Sequence, residues 1–201
     1  MSRPRLFIIA GPNGSGKSLF SKALSQSDYE VFDGDKHMTH LSKKFSDIGS
    51  DALWNYIDEE IFSREKAEAI MKRLNYAYET NFRSDNPMST ALEFQKNGYE
   101  IHLIFMGLNS LEESIERVAH RVRTGGHKVS EESIKYNFEH GFKNLYKHYF
   151  QFDSVTLFDN SVVEKGNSQA PRELLFISEG DVYISQENLP EWAQKLVPER
   201  K

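Results

Sequence analysis

The chain has no cysteine in its 201 residues, which excludes disulfides and thiol chemistry and fits a reducing compartment. It has no apolar run approaching the length of a membrane span. The N-terminal residues Met1 to Arg5 lead straight into a strand-like segment without a signal-peptide core, so a soluble, cytoplasmic protein is expected. Positive charge is in short supply. Lys and Arg total 25 against 30 Asp and Glu, a net charge of -5, which argues against a general nucleic-acid binder. Internal repeats and low-complexity tracts are missing, as is the Asn-Lys-x-Asp signature of guanine readers, which argues against a GTPase. The length suits one domain with a sizeable core.

What is present is organised around Gly11-Pro12-Asn13-Gly14-Ser15-Gly16-Lys17-Ser18. It lies between the apolar run Leu6 to Ala10 and the helix-like segment Leu19 to Leu24. The stretch satisfies G-x-x-x-x-G-K-[ST] in the strand-to-helix setting that the motif needs. Glycines there let successive backbone N–H groups turn inward as an anion nest, and the helix N-terminus adds partial positive charge. Lys17 is placed to reach the β- and γ-phosphates of a nucleotide, and the Ser18 hydroxyl to ligate Mg²⁺. A plain glycine-rich turn would explain the glycines but not the Lys-Ser pair in that register.

The rest alternates strand-like and helix-like segments, as an α/β protein with a parallel sheet and flanking helices does. Glu30-Val31-Phe32 reads as a second strand ending at Asp33-Gly34-Asp35. In open parallel sheets ligands bind beyond the carboxyl ends of the strands, so Asp35 is a candidate catalytic group; a plain turn role for Asp33 or Asp35 is the alternative. Residues 51 to 74 read as a helix broken near Ser63, and 75 to 80 as a third strand with Glu79 at its end. Asn86-Pro87 opens a helix that Gly98 ends, followed by the apolar strand Tyr99 to Met106.

Ser110 and Glu113 form a capping box for a helix carrying Arg117, His120, Arg121 and Arg123, the one dense basic cluster of an acidic chain. Arg117 and Arg121, four residues apart, share a face and can address one anion. With the glycine pair at 125 and 126 this suits a lid over about residues 115–130; a solvated basic helix is the alternative. The aromatic stripe Ile134, Phe138, Phe142, Leu145 and Tyr149 reads as core at helical spacing. Val155 to Phe158 makes a fifth strand ending at Asp159-Asn160-Ser161, residues 164 to 170 a polar loop, and about 172–198 a hairpin and short helix. That tail reads as structural, with cover for the base side of a nucleotide pocket as the other possibility.

These residues together resemble the zeta-toxin family of P-loop kinases over about residues 5–161. Besides the phosphate loop, the resemblance rests on Asp33-Gly34-Asp35, Glu79-Thr80-Asn81-Phe82-Arg83, Glu116-Arg117-Val118 and Lys143-Asn144-Leu145. Gly125-Gly126-His127-Lys128-Val129 is similar to a short-lid branch of that family.

The resemblance implies an ATP- and Mg²⁺-dependent kinase that phosphorylates a hydroxyl of a small molecule, a nucleotide sugar such as UDP-N-acetylglucosamine, and an antitoxin protein as partner. It implies Asp35 as general base, Glu79 as a substrate ligand and Arg117 as a phosphoryl-stabilising group. Thr80, Asn81, Arg83 and His127 join the substrate side, and Arg121 and Arg123 the lid and nucleotide side. His127 stands where long-lid members carry a second arginine, and Asn81 where a threonine is usual, so the acceptor stays open. A different small-molecule or nucleoside kinase, or a nucleotide-binding module or ATPase without transfer chemistry, are the other readings.

Overall fold

The computed structural model describes residues 2–25, 27–28, 30–124, 128–161 and 170–198. The expected glycine pair at 125 and 126, His127 and most of the polar loop at 164 to 170 lie outside them.

Six strands form one sheet in the order β2-β1-β3-β4-β5-β6. The strands are β1 (Arg5–Ala10), β2 (Tyr76–Thr80), β3 (Glu100–Gly107), β4 (Ser154–Asp159), β5 (Arg172–Ser178) and β6 (Asp181–Ile184). The first four pair in parallel, whereas β5 and β6 add an antiparallel hairpin at one edge. The α/β architecture expected from the alternating segments is therefore present, with helices over both faces.

Alternation along β1 explains the two-faced core. Leu6, Ile8 and Ala10 point into a large cluster with Tyr76, Tyr78, Leu103, Phe105 and Leu157. Phe7 and Ile9 enter a smaller one with Ala77, Ile104 and Met106, closed by Phe20 and Leu24 from helix α1 (Lys17–Leu24). The larger face is covered by α2 (Gly34–Lys44), α3 (Ser50–Tyr56), α4 (Ser63–Lys72), α5 (Asn86–Lys96), α7 (Glu131–His148) and α8 (Glu191–Gln194), while α6 (Leu111–Arg123) packs beside α7.

Two expectations are corrected. The second strand shrinks to a single bridge between Phe32 and Tyr78, because the Asp33 side chain caps α2 by accepting from Lys36 N at 3.2 Å and so turns the chain into a helix at once. The helix over 51 to 74 does not break at Ser63. α3 passes into a π-helical segment, Ile57–Phe62, that runs on into α4, and Ser63 Oγ donates to Asp58 O at 2.9 Å. The wider turn accommodates Phe62, whose ring packs against Phe32 and Tyr78.

The C-terminal helix is anchored in the core. Trp192 is buried beside Phe105 and Phe142, and its Nε1 donates to Asn109 Oδ1. Gly107 leaves the space for that ring, since a Cβ there would lie 2.2 Å from Trp192 Cζ2.

Candidate active site

Register brings the site together. β1 pairs Ile9 with Glu79 and Ala10 with Thr80 on one side, and Ala10 with Phe105 on the other. The loop leaving β1 thus emerges between the end of β2 and the end of β3, the carboxyl edge where parallel sheets bind ligands.

The phosphate loop is held from outside by its carbonyls. Lys17 Nζ donates to Gly11 O at 2.7 Å and Pro12 O at 3.1 Å. Ser114 Oγ of α6 donates to Asn13 O at 2.6 Å, and Asn137 Nδ2 of α7 to Asn13 Oδ1 at 2.8 Å, both buried. Arg117 donates to Gly14 O at 3.3 Å and to Asn160 O, and Asn160 Nδ2 donates to Ser15 O at 2.8 Å. The loop carbonyls are thus taken by side-chain donors, Ser15 N–H is bonded to Pro12 O at 3.3 Å, and the remaining backbone N–H groups of the motif are those that can serve an anion nest. Gly16 caps α1 in the left-handed region at φ 89. A Cβ there would lie 2.5 Å from Asn160 Nδ2, so glycine is required both for the turn and for the contact.

Around the loop mouth the charges converge on Lys17. Burial lowers its pKa, Glu79, Asp35 and Asp33 in that order raise it, and Arg121 lowers it. The third bond of its ammonium goes to Asn81 Oδ1 at 3.1 Å. Ser18 Oγ lies 3.0 Å from Asp33 Oδ2 and 2.8 Å from Glu79 Oε2. Burial first, then the Asp33 charge, pushes the Glu79 carboxyl up, against the pull of Lys17 and of hydroxyl donors from Ser18 and Ser21. Glu79, Asp35 and Asp33 thus act on Lys17 with one sign and Arg121 with the other, in a setting to which a nucleotide would bring more negative charge. A hydroxyl beside two carboxylates is a hard oxygen set that fits Mg²⁺, which is held by few protein ligands together with phosphate and water. No cluster of three or more His, Asp or Glu arranged to hold a metal on its own occurs among the described residues.

Asp35 lies in the first turn of α2. Its backbone carbonyl accepts from Thr39 Oγ1, and its charge is felt at Lys17 more strongly than that of Asp33. Asp33 does more than hold the turn, since it also approaches Ser18.

The lid arginines separate. Arg117 pairs with Glu113 at 2.9 Å and spends its guanidinium on the backbone of the loop and of residue 160. Arg121 acts on Lys17, and Arg123 is exposed at the end of α6. Ser110 caps α6 by accepting from Glu113 N.

The segment after β2, where substrate-side residues were expected, is tightly fixed. Phe82 is fully buried in the left-handed region at φ 54, which costs about 1–2 kcal/mol for a residue with a Cβ. Its N–H donates to Thr80 Oγ1 at 3.0 Å, and its carbonyl accepts from Asn144 Nδ2 at 2.7 Å. Exposed Arg83 acts on Asp58 of the π-helical segment, whose carboxyl is raised by burial and by Glu59 and lowered by Arg83 and Lys66. Such π turns are frequent at functional sites. Ser114, Asn137 and Asp58 went unnoticed in the sequence because single polar residues inside amphipathic helices carry no local signal. Asn160 was visible only as a strand-end residue.

The sequence profile of the family described as Zeta toxin matches residues 1–168. A relative from Haemophilus influenzae, itself described as an uncharacterized protein, is 27% identical over 148 residues, covering 69% of this chain and all of its own length. Among solved structures, a chain of the PezAT chromosomal toxin–antitoxin system of Streptococcus pneumoniae superposes with a TM-score of 0.63 at 18% identity, over 79% of this chain and 68% of that one. A chain of the AvrRxo1-ORF1:-ORF2 structure with ATP gives 0.65 at 13% identity, over 92% and 61%. The same pair with sulphate ions gives 0.68 at 14% identity and covers this whole chain, which spans 66% of that one. These likenesses establish the fold, and the structures come from two-component assemblies.

Proposed function

We propose that this chain, which belongs to the Zeta toxin family, is an ATP- and Mg²⁺-dependent phosphotransferase acting on a hydroxyl of a small molecule. The observation that carries the reading is the convergence of Lys17, Ser18, Asp33, Asp35 and Glu79 at the carboxyl edge of the sheet, under an anion nest. Phosphoryl transfer asks little covalent chemistry of a protein; it needs positioning and charge compensation. The nest and Lys17 hold the β- and γ-phosphates. Ser18, with Asp33 and Glu79 beside it, would hold Mg²⁺, which when bound would supply charge neutralisation on those phosphates.

Asp35 accepts the proton of the acceptor hydroxyl as its oxygen bonds to the γ-phosphorus and the bond to the β,γ-bridging oxygen breaks, releasing ADP. Arg121, whose charge bears on Lys17, compensates charge on the moving group, while Arg117 contributes by holding the loop that binds it.

The acceptor lies toward Glu79, Asn81, Arg83 and Asp58. A basic group among hydrogen-bonding acids suits a phosphorylated, hydroxyl-rich molecule, and a nucleotide sugar such as UDP-N-acetylglucosamine is the acceptor that family likeness favours. Structural relatives that occur with a second protein support an antitoxin-like partner for this chain as well. Calorimetric titration with Mg·ATP tests the nucleotide half: the unaltered chain binds and Lys17→Ala binds at least about tenfold more weakly while remaining folded. Equal affinities would remove the basis of the reading.

A further inference from the structure

Helix α7 carries a buried stripe of polar or side-chain-free positions, Asn137, Gly141, Asn144 and His148, at steps of four, three and four. Those steps keep all of them on one helix face. Asn137, Asn144 and His148 are each at most 7% exposed, although packing alone would favour apolar side chains there. Each instead meets a segment that the site depends on.

Asn137 Nδ2 donates to Asn13 Oδ1 in the phosphate loop at 2.8 Å. At Gly141 a Cβ would lie 2.8 Å from Asn81 O, so the helix approaches that backbone as only glycine allows. Asn144 Nδ2 donates to Phe82 O at 2.7 Å. His148 Nε2 lies 2.6 Å from Asp85 Oδ1, which also accepts from Lys147 Nζ at 3.0 Å. Asn137 at the N-terminal end of the stripe therefore meets the nucleotide loop, and Gly141, Asn144 and His148 meet the segment 81–85. The two segments are joined by a bond from Lys17 Nζ to Asn81 Oδ1 at 3.1 Å.

We infer that α7 is the gauge that sets the nucleotide and acceptor halves of the site in register. Asn144 is a positioning residue that acts through the left-handed Phe82 to place Asn81 and Arg83, and Asn137 is its counterpart acting through Asn13. The functional consequence rests on the kinase reading, whereas the structural one does not.

The test uses the full chain labelled with ¹⁵N. Asn144→Leu removes the donor while keeping the branching of the side chain's heavy atoms. Thr80→Val removes the other hold on Phe82 and carries the test if Asn144→Leu does not fold. Both variants are expected to move the amide resonances of Asn81 and Arg83 and leave those of Gly14 and Gly16 in place. The Kd for Mg·ATP should stay within about twofold, and kcat for basal ADP release should fall about tenfold or more. Asn137→Leu should do the reverse, moving the Gly14 resonance and raising the Kd.

A purely structural role would instead lower the melting temperature and reduce binding and ADP release in proportion. That outcome, or an unmoved Asn81 resonance, overturns the inference. A chain that binds Mg·ATP but releases no ADP, even with acceptors present, would defeat the kinase reading, and the split between resonances and binding would still decide the gauge.

Discussion

At the scale of single residues the site is held together by charges that would be costly alone. Glu79 is the sharpest case, because burial and Asp33 raise its carboxyl above the ordinary value of 4.5. The folded chain therefore binds that proton more tightly than the unfolded one. The stability it contributes is fully present below the unfolded value and is lost as pH rises through the elevated folded value. Glu79→Gln should accordingly raise the melting temperature at neutral pH, corresponding to about 0.5–2 kcal/mol as for other relieved functional sites, and change little in mild acid. The same variant should weaken the Mg²⁺ dependence of nucleotide binding. Thermal melts at several pH values, with and without Mg·ATP, check both; a destabilised Glu79→Gln at neutral pH would contradict this account of the carboxyl.

Asp33 and Asp35 are separable in the same way. Asp35→Asn keeps the size but not the proton acceptor and is expected to lower turnover about 10²- to 10⁴-fold with ATP affinity nearly unchanged. Asp33→Asn sits beside Ser18 and at the cap of α2, where asparagine caps as well as aspartate, so it should raise the Mg²⁺ concentration needed with little change in stability. Mg²⁺ titrations of steady-state turnover distinguish the two.

At the scale of elements, α6 acts as two pieces. Its N-terminal half is bonded to the phosphate loop through Ser114 and Arg117, and only beyond Arg117 does it present Arg121 and Arg123 as a basic surface. Arg117→Ala should weaken Mg·ATP binding, because it frees Gly14 O and Asn160 O in a partly buried setting. Arg121→Ala should lower kcat more than affinity, because its charge matters most while the phosphoryl group moves. A kcat effect confined to Arg117 would reverse the assignment.

This division also marks what could be read from the chain beforehand. The phosphate-loop motif between strand and helix, Glu79 at the end of β2 and the Ser110 cap of α6 were legible because each is a local pattern with a local physical cause. The bridge at Phe32, the π-helical passage across Ser63 and the bond from Asn137 to Asn13 were not. The cap on α2 cut short a run of β-forming residues, the wider turn follows from packing Phe62 against strands distant in sequence, and the amide pair joins residues 124 positions apart.

At the scale of the molecule, the parallel strands β2, β1, β3 and β4 carry the site, and the antiparallel hairpin with α8 closes the far edge and the core beneath. The tail lies beyond the residues that match the family, yet Trp192 fills the space over Gly107. Trp192→Ala should therefore cost about 3–5 kcal/mol, seen as an earlier denaturant midpoint, while a variant that remains folded keeps its affinity for Mg·ATP. Loss of affinity without loss of stability would instead make the tail part of the nucleotide pocket.

The central claim, phosphoryl transfer to a small hydroxyl compound, is tested most directly by incubating the chain with γ-labelled ATP, Mg²⁺ and a panel of hydroxyl-bearing metabolites that includes nucleotide sugars. The account predicts label on one acceptor, lost with Lys17→Ala and with Asp35→Asn. Label released only as inorganic phosphate whatever the acceptor, and unaffected by Asp35→Asn, would contradict it.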